Sequence, residues 1–274
     1  MLDHTFCHIH GVGDAGEQKL WRQGIHTWAD LLKQPGAVPR VSAVEITTVL
    51  HDSLSALGNS PHYFSKRLKR RDCWRLFPHF RDAVGYIDIE TTGLGPSCDV
   101  TTIALYDGSS VRTYVNGINI DDFLEDVDDI KVFISYNGIS FDIPVLEHFF
   151  RARFDQAHID LRYVLARLGF KGGLKGCEKQ LGINRGSLDG MDGSFAVLLW
   201  REYERYGNEQ ALETLLAYNI EDTVNLERLM VEAYNRNVER TPFYANLELS
   251  YPAPPMLSHQ PDPAIIELCK RQVY

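Results

Sequence analysis

No two of the five cysteines (Cys7, Cys73, Cys98, Cys177, Cys269) have Cys-x-x-Cys spacing, and their number is odd. That argues against a zinc site built on cysteine pairs and against a disulfide framework, leaving reduced thiols as the expectation. His8-Ile9-His10 has no accompanying ligand cluster and reads as structural. No apolar run approaches the ~20 residues that cross a bilayer. The first residues lack the basic-then-apolar pattern of a secretory signal. The expectation is a cytoplasmic protein with no membrane partner. Positive charge is also scarce. The net charge is −9 over 274 residues, which taken alone disfavours a polyanionic partner. Part of the excess is regional, in Asp121-Asp122-Phe123-Leu124-Glu125-Asp126-Val127-Asp128-Asp129, which reads as a charged helix away from any substrate. The apolar fraction of 44% is ordinary for a globular chain with a proper core.

Against those absences stands Asp88-Ile89-Glu90-Thr91-Thr92-Gly93, at the end of the strand-like run from Val84. In a strand, residues i and i+2 leave the same face, roughly 6–7 Å apart. Two carboxylates so placed repel each other unless a cation sits between them, and a hard divalent ion such as Mg²⁺ suits oxygen ligands. The alternative is a charged edge strand with a hairpin turn. Further on, the apolar run Phe133-Ile134-Ser135-Tyr136 ends at Asn137-Gly138. Phe141-Asp142-Ile143-Pro144 then opens a short helix, with Pro144 tolerated in its first turn. Asp142 reads there either as an N-cap or as a catalytic acid. Between about Glu209 and Tyr234, Leu212, Leu215, Leu216, Ile220, Leu226 and Leu229 form an apolar helical stripe. Tyr218 and Asp222 share one face of that helix. They could present a hydroxyl and a metal ligand together, or pair with each other on a packed surface.

The order Asp-x-Glu, then Asn-x3-Phe-Asp, then Tyr-x3-Asp resembles the DEDD superfamily of 3′–5′ exonucleases (DnaQ-like, ribonuclease H fold). Tyr218 points to its tyrosine subclass; the histidine subclass would carry His where this chain has Ala217. His158-Ile159-Asp160-Leu161-Arg162, the stretch from Gly173 to Ile183 and Leu199-Trp200-Arg201-Glu202-Tyr203 look like the YprB-like branch. The resemblance runs from roughly Ala83 to Asn235. It implies that Asp88, Glu90, Asp142 and Asp222 hold two Mg²⁺ (or Mn²⁺) ions and that Tyr218 orients the attacking water. It implies hydrolysis of phosphodiester bonds at single-stranded 3′ ends by a two-metal route, with DNA slightly favoured over RNA. Thr91, Thr92, Gly93, Leu94, Asn137, Phe141 and Lys175 are the expected substrate-binding residues. RNA 3′-end trimming or structure-selective cleavage on the same site is an alternative, as is a non-catalytic nucleic-acid-binding or scaffold protein. Asp160 reads as a structural cap. Lys171, Lys175 and Lys179 recur at helical spacing, as a phosphate rail or a solvated face.

Four regions are expected. Residues 1–35 resemble a helix–hairpin–helix unit, through His10-Gly11-Val12-Gly13 and Gly24-Ile25. Its glycine turn and helix start could meet a phosphate, or the unit could bind a protein partner; Asp14 and Glu17 would repel phosphate. Residues 36–82 form a basic helical linker. Its segment Ser65 to Arg75 is flanked by Tyr63, Phe64, Trp74, Phe77 and Phe80, either for a single strand or as an amphipathic helix. Residues 83–240 form the exonuclease domain. Residues 241–274, with Pro252, Pro254, Pro255, Pro261 and Pro263, read as an extended tail. Strand signals at Val84–Glu90, Thr101–Tyr106, Val111–Val115 and Val132–Tyr136, followed by helices, predict an α/β fold. The resemblance makes it a ribonuclease H-like mixed sheet flanked by helices.

Overall fold

Val84, Tyr86, Asp88 and Glu90 alternate with Gly85, Ile87 and Ile89, and the whole run is largely buried, as in a strand covered on both faces. In a computed structural model, which describes residues 1–95 and 98–273, this run is β1 (Val84–Thr91). It lies at the centre of a five-stranded sheet ordered β3-β2-β1-β4-β5. The others are β2 (Val100–Tyr106), β3 (Val111–Val115), β4 (Val132–Ser135) and β5 (Ala157–Asp160). β1, β2 and β3 run antiparallel in sequence, while β4 and β5 add in parallel on the other edge of β1. The first four strands fall on the strand signals of the sequence. The fifth, Ala157–Asp160, is too short to stand out from the helix that follows it.

Register decides where a site can form. β1 pairs with β2 as far as Thr91, but with β4 only from Val84 to Tyr86. The chain leaving β4 turns away at Asn137, which adopts φ 71°. A crevice therefore opens at the carboxyl ends of the parallel strands, the usual ligand position in open α/β sheets. Asp88 and Glu90 lie in this stretch, beyond the last β1–β4 pair.

The α-helices of six or more residues are numbered from the N-terminus. α1 (Asp14–Arg22), α2 (Trp28–Lys33) and α3 (Ala43–Leu57) precede the sheet. α4 (Asp142–Phe150) follows β4, and α5 (Leu161–Leu168) follows β5. Then come α6 (Gly173–Gln180), α7 (Gly193–Tyr206), α8 (Glu209–Val238) and α9 (Pro263–Val273). One sheet face puts Ile87, Ile89, Ile103 and Leu105 against Leu146 of α4 and Phe123. The other puts Val84, Tyr86, Ala104 and Ile134 against Val164 and Leu165 of α5 and Ile220 and Val224 of α8. That second cluster continues without a break into Phe6, Trp28, Phe64 and Trp74.

The N-terminal unit is also joined to the body by charge. Glu17 of α1, 1% exposed, accepts from Thr5 Oγ1 (2.5 Å), the Phe6 amide (2.8 Å) and Arg75 Nη2 (2.8 Å). Arg75 also binds Asp72, which Arg167 of α5 contacts in turn. Asp14 pairs with Arg71 and Arg167. In the last region, residues from Pro263 form α9, seated on α7 and α8 through Ile265, Ile266 and Cys269. Pro263 stands at the first helical position, where its missing N–H costs nothing.

Candidate active site

β1 carries Asp88 and Glu90 on the face that meets α8, and α8 brings Tyr218 and Asp222 one turn apart to the same place. Carboxylate oxygens of Asp88, Glu90 and Asp222 lie within 4.8 Å of one another. Asp142, at the first position of α4 and buried, stands outside that trio, but its charge reaches Asp88 and Glu90. Desolvation, then the charges of Asp222, Glu90 and Asp142, push the Asp88 carboxyl well above its ordinary range. Glu90 is raised by desolvation and by Asp222, with Lys175 opposing. Asp142 is raised to about 7, chiefly by burial. So much negative charge in so small a volume is unfavourable without a cation. Oxygen-only donors at this spacing fit a hard divalent ion.

Asn219 fixes one member of the trio, Asp88. Its Nδ2 donates to Asp88 Oδ2 (2.8 Å) and to the Asp88 carbonyl (3.2 Å), while its Oδ1 accepts from Thr102 Oγ1 (3.1 Å). One side chain thus joins α8 to β1 and β2. Tyr218 is buried, and burial followed by the charges of Asp222, Glu90 and Asp88 drives its phenol far above the usual value, so it stays protonated. Lys175 donates to the Tyr218 hydroxyl oxygen, with Nζ 4.4 Å from the ring centroid. That leaves the phenolic proton free to donate elsewhere.

A buried cation completes the arrangement. Arg185, 6% exposed, donates from Nη1 to both oxygens of Glu178 at 3.0 Å, and its Nη2 pairs with Asp222 Oδ1. Asn225 Nδ2 also donates to Glu178, at 2.8 Å. Asn219 and Glu178 lie inside the sequence motifs, but nothing in their spacing gives them a role. Arg185 lies just past the end of the Gly173 to Ile183 stretch and carries no periodic signal at all.

Two cavities, each of about 750 Å³, meet at Glu90 and Gly193. The first is lined by Thr91, Gly93, Leu94 and Phe141 with Val197, Leu198 and Arg201 of α7. It therefore gathers four of the expected substrate residues, and Leu94 is 93% exposed at its rim. The second holds Asp88, Tyr218, Asp222, Lys175 and Asn137 together with Tyr136, Arg162 and Lys171. Thr92 lines neither; its Oγ1 accepts from the Asp99 amide (3.0 Å) and closes its own loop. Asp160 caps α5 and also accepts from the Asn137 (2.8 Å) and Ile139 (3.3 Å) amides, so it fixes the turn after β4. Of the three lysines at helical spacing, Lys171 precedes α6, Lys175 turns inward, and Lys179 is exposed away from the second cavity. In the basic segment, Arg71 and Arg75 are taken up by Asp14, Asp72 and Glu17, and Phe64, Trp74, Phe77 and Phe80 are buried.

Residues 85–234 match the family model of the RNase H superfamily. A search of curated proteins gives no match. Among solved structures, the chain is similar to the family B DNA polymerase from the hyperthermophilic archaeon Pyrobaculum calidifontis, at 15% identity and a TM-score of 0.42. That similarity covers 57% of this chain and 24% of the polymerase chain.

Proposed function

The chain belongs to the RNase H superfamily, and from that premise we propose that it is a metal-dependent 3′–5′ exonuclease of the tyrosine subclass acting on single-stranded nucleic-acid ends. The observation that carries the reading is the trio Asp88, Glu90 and Asp222, with carboxylate oxygens within 4.8 Å of one another beside a protonated Tyr218. Asp142 is the fourth proposed acid. Two Mg²⁺ or Mn²⁺ ions are the proposed cofactors; when bound they supply Lewis acidity toward the attacking water and the leaving oxygen.

The chain's own groups do the rest. Asn219 holds Asp88 by its Oδ2 (2.8 Å), which fixes one ligand before substrate arrives. Lys175 occupies a lone pair of the Tyr218 oxygen, so the phenolic O–H is directed at the attacking water. Water adds to phosphorus, the bond to the 3′ oxygen of the preceding nucleotide breaks, that oxygen takes a proton, and a nucleoside 5′-monophosphate leaves. The apolar cavity of about 750 Å³ on one side of Glu90 is within the ~300–1,000 Å³ that buries a small ligand. It supports a seat for the terminal nucleotide, with Leu94 and Phe141 against its base.

Linear and circular single strands of one sequence test the polarity. The expected result is digestion of the linear 5′-labelled strand into a ladder that shortens from the 3′ end, with the circle intact. Cutting of the circle would replace the exonuclease with an endonuclease.

A further inference from the structure

We propose that the second cavity is the track of the strand behind the scissile bond, with Arg162 and Lys171 as phosphate contacts and Phe170 and Tyr136 as base-stacking rings. This rests on the exonuclease reading. The cavity lined by these residues is also lined by Asp88, Glu90, Tyr218 and Asp222, so a strand lying in it is continuous with the reacting centre. Arg162 and Lys171 are exposed, and neither forms a salt bridge among the described residues. They line the cavity of the reacting centre itself, whereas the neighbouring Arg71, Arg75 and Arg167 are already paired with Asp14, Asp72 and Glu17.

Arg162 donates from Nη1 to Asn137 Oδ1, which fixes the guanidinium against the turn after β4 and leaves further N–H donors. Next to it, Arg70 donates to Tyr163 Oη (2.8 Å) with its guanidinium 5.2 Å from that ring. The basic segment before the sheet thus reaches α5, the helix that carries Arg162. Arg236, which pairs with Glu232, holds its guanidinium 5.3 Å from the Phe170 ring centroid. Cations interleaved with rings favour a single strand, whose bases are free to stack; in a duplex the bases are already stacked on each other.

The test is binding, read separately from cleavage. Fluorescence anisotropy of a 5′-labelled single strand, as DNA and as matched RNA, is measured with the full chain carrying Asp88→Asn, over a salt series. Each phosphate contact on a single strand contributes about 0.7 to the slope of log K against log salt, so Arg162→Ala with Lys171→Ala lowers it by about 1.4. Phe170→Ala weakens binding about tenfold with the slope kept. Lys179→Ala, a cation outside the cavity, changes neither. Arg162→Lys preserves the charge and retains the slope, which separates lost contacts from a lost fold. An unchanged slope in the double variant overturns the track, as does equal affinity for the matched duplex. If the parent chain degrades strands while that slope stays put, the track fails and the exonuclease reading stands. If the parent degrades no strand but the double variant flattens the slope, the cavity is a strand-binding groove without a scissile bond, and the exonuclease reading and the track behind that bond both fail.

Discussion

Replacing Arg185 with leucine removes the one guanidinium between two buried carboxylates. Its Nη1 serves both oxygens of Glu178 at 3.0 Å and its Nη2 serves Asp222. The side chains of Arg185 and Glu178 are 3% and 1% exposed, and that of Asp222 is 8%. Burial already raises the Glu178 carboxyl, with Arg185 as the main opposing charge and Asp222 adding to the rise. Without Arg185, among the described residues only Asn225 still donates to Glu178 (2.8 Å), and two largely buried like charges face each other. Breaking a buried pair from one side costs about 3–5 kcal/mol. At roughly 2–4 °C per kcal/mol for a chain near this size, the melting temperature should fall by about 10 °C. Thermal denaturation followed by far-ultraviolet circular dichroism in EDTA reads this directly. Two companions identify the cause. The double change Arg185→Leu with Glu178→Leu leaves fewer orphaned charges and should recover a large part of the loss. Added Mg²⁺ should recover another part by neutralising Asp222. A melting temperature for Arg185→Leu within about 2 °C of the parent would contradict a buried pair of this strength.

Asn219→Ala should cost about 1–3 kcal/mol by leaving Thr102 and Asp88 without their shared partner, and should weaken Mg²⁺ binding in calorimetry; unchanged Mg²⁺ affinity would remove Asn219 from the positioning of Asp88. A Cβ at Gly138 would lie 2.1 Å from Ser135 Oγ, so Gly138→Ala should shift the turn that carries Asn137 and cost about 1–3 kcal/mol; a denaturation midpoint equal to the parent's would show that the turn yields freely. His8, held at about 3 mainly by burial and hydrogen-bonded to Ser53 Oγ at 2.9 Å, stays neutral in the folded chain. In the unfolded chain it takes a proton below ~6.5, so its contribution is full above that pH and is lost as pH falls toward 3. Going from pH 7 to pH 5 should therefore cost about 2 kcal/mol. Urea denaturation at the two pH values should show that loss in the parent and less of it in His8→Gln; equal losses would place the proton uptake elsewhere.

The parts legible in the sequence are those encoded by short-range periodicity. β1 is visible as a strand-like run from Val84 to Glu90, and the two-residue period of a strand alone puts both carboxylates on one face. Tyr218 and Asp222 are one helical turn apart within a leucine stripe, so their shared face follows from spacing. Arg185 is invisible because its partners, Glu178 and Asp222, come from two separate helices and only the fold brings them to it. The N-terminal unit shows the same limit. Read along the chain, Asp14 and Glu17 repel phosphate, while Arg71 and Arg75 attract it. In the fold these residues are each other's counterions, so neither set is available in the way its local sequence implies. In the C-terminal region proline density hides α9, because Pro263 starts that helix rather than preventing it.

The most direct measurement of the central claim is digestion of 5′-labelled single-stranded DNA and matched RNA with Mg²⁺, Mn²⁺ or EDTA, beside Asp88→Ala and Asp222→Ala proteins of unchanged fold. The account predicts a ladder shortening from the 3′ end with Mg²⁺ or Mn²⁺, none in EDTA, and none with either variant. An Asp88→Ala protein that digests as fast as the parent would contradict it.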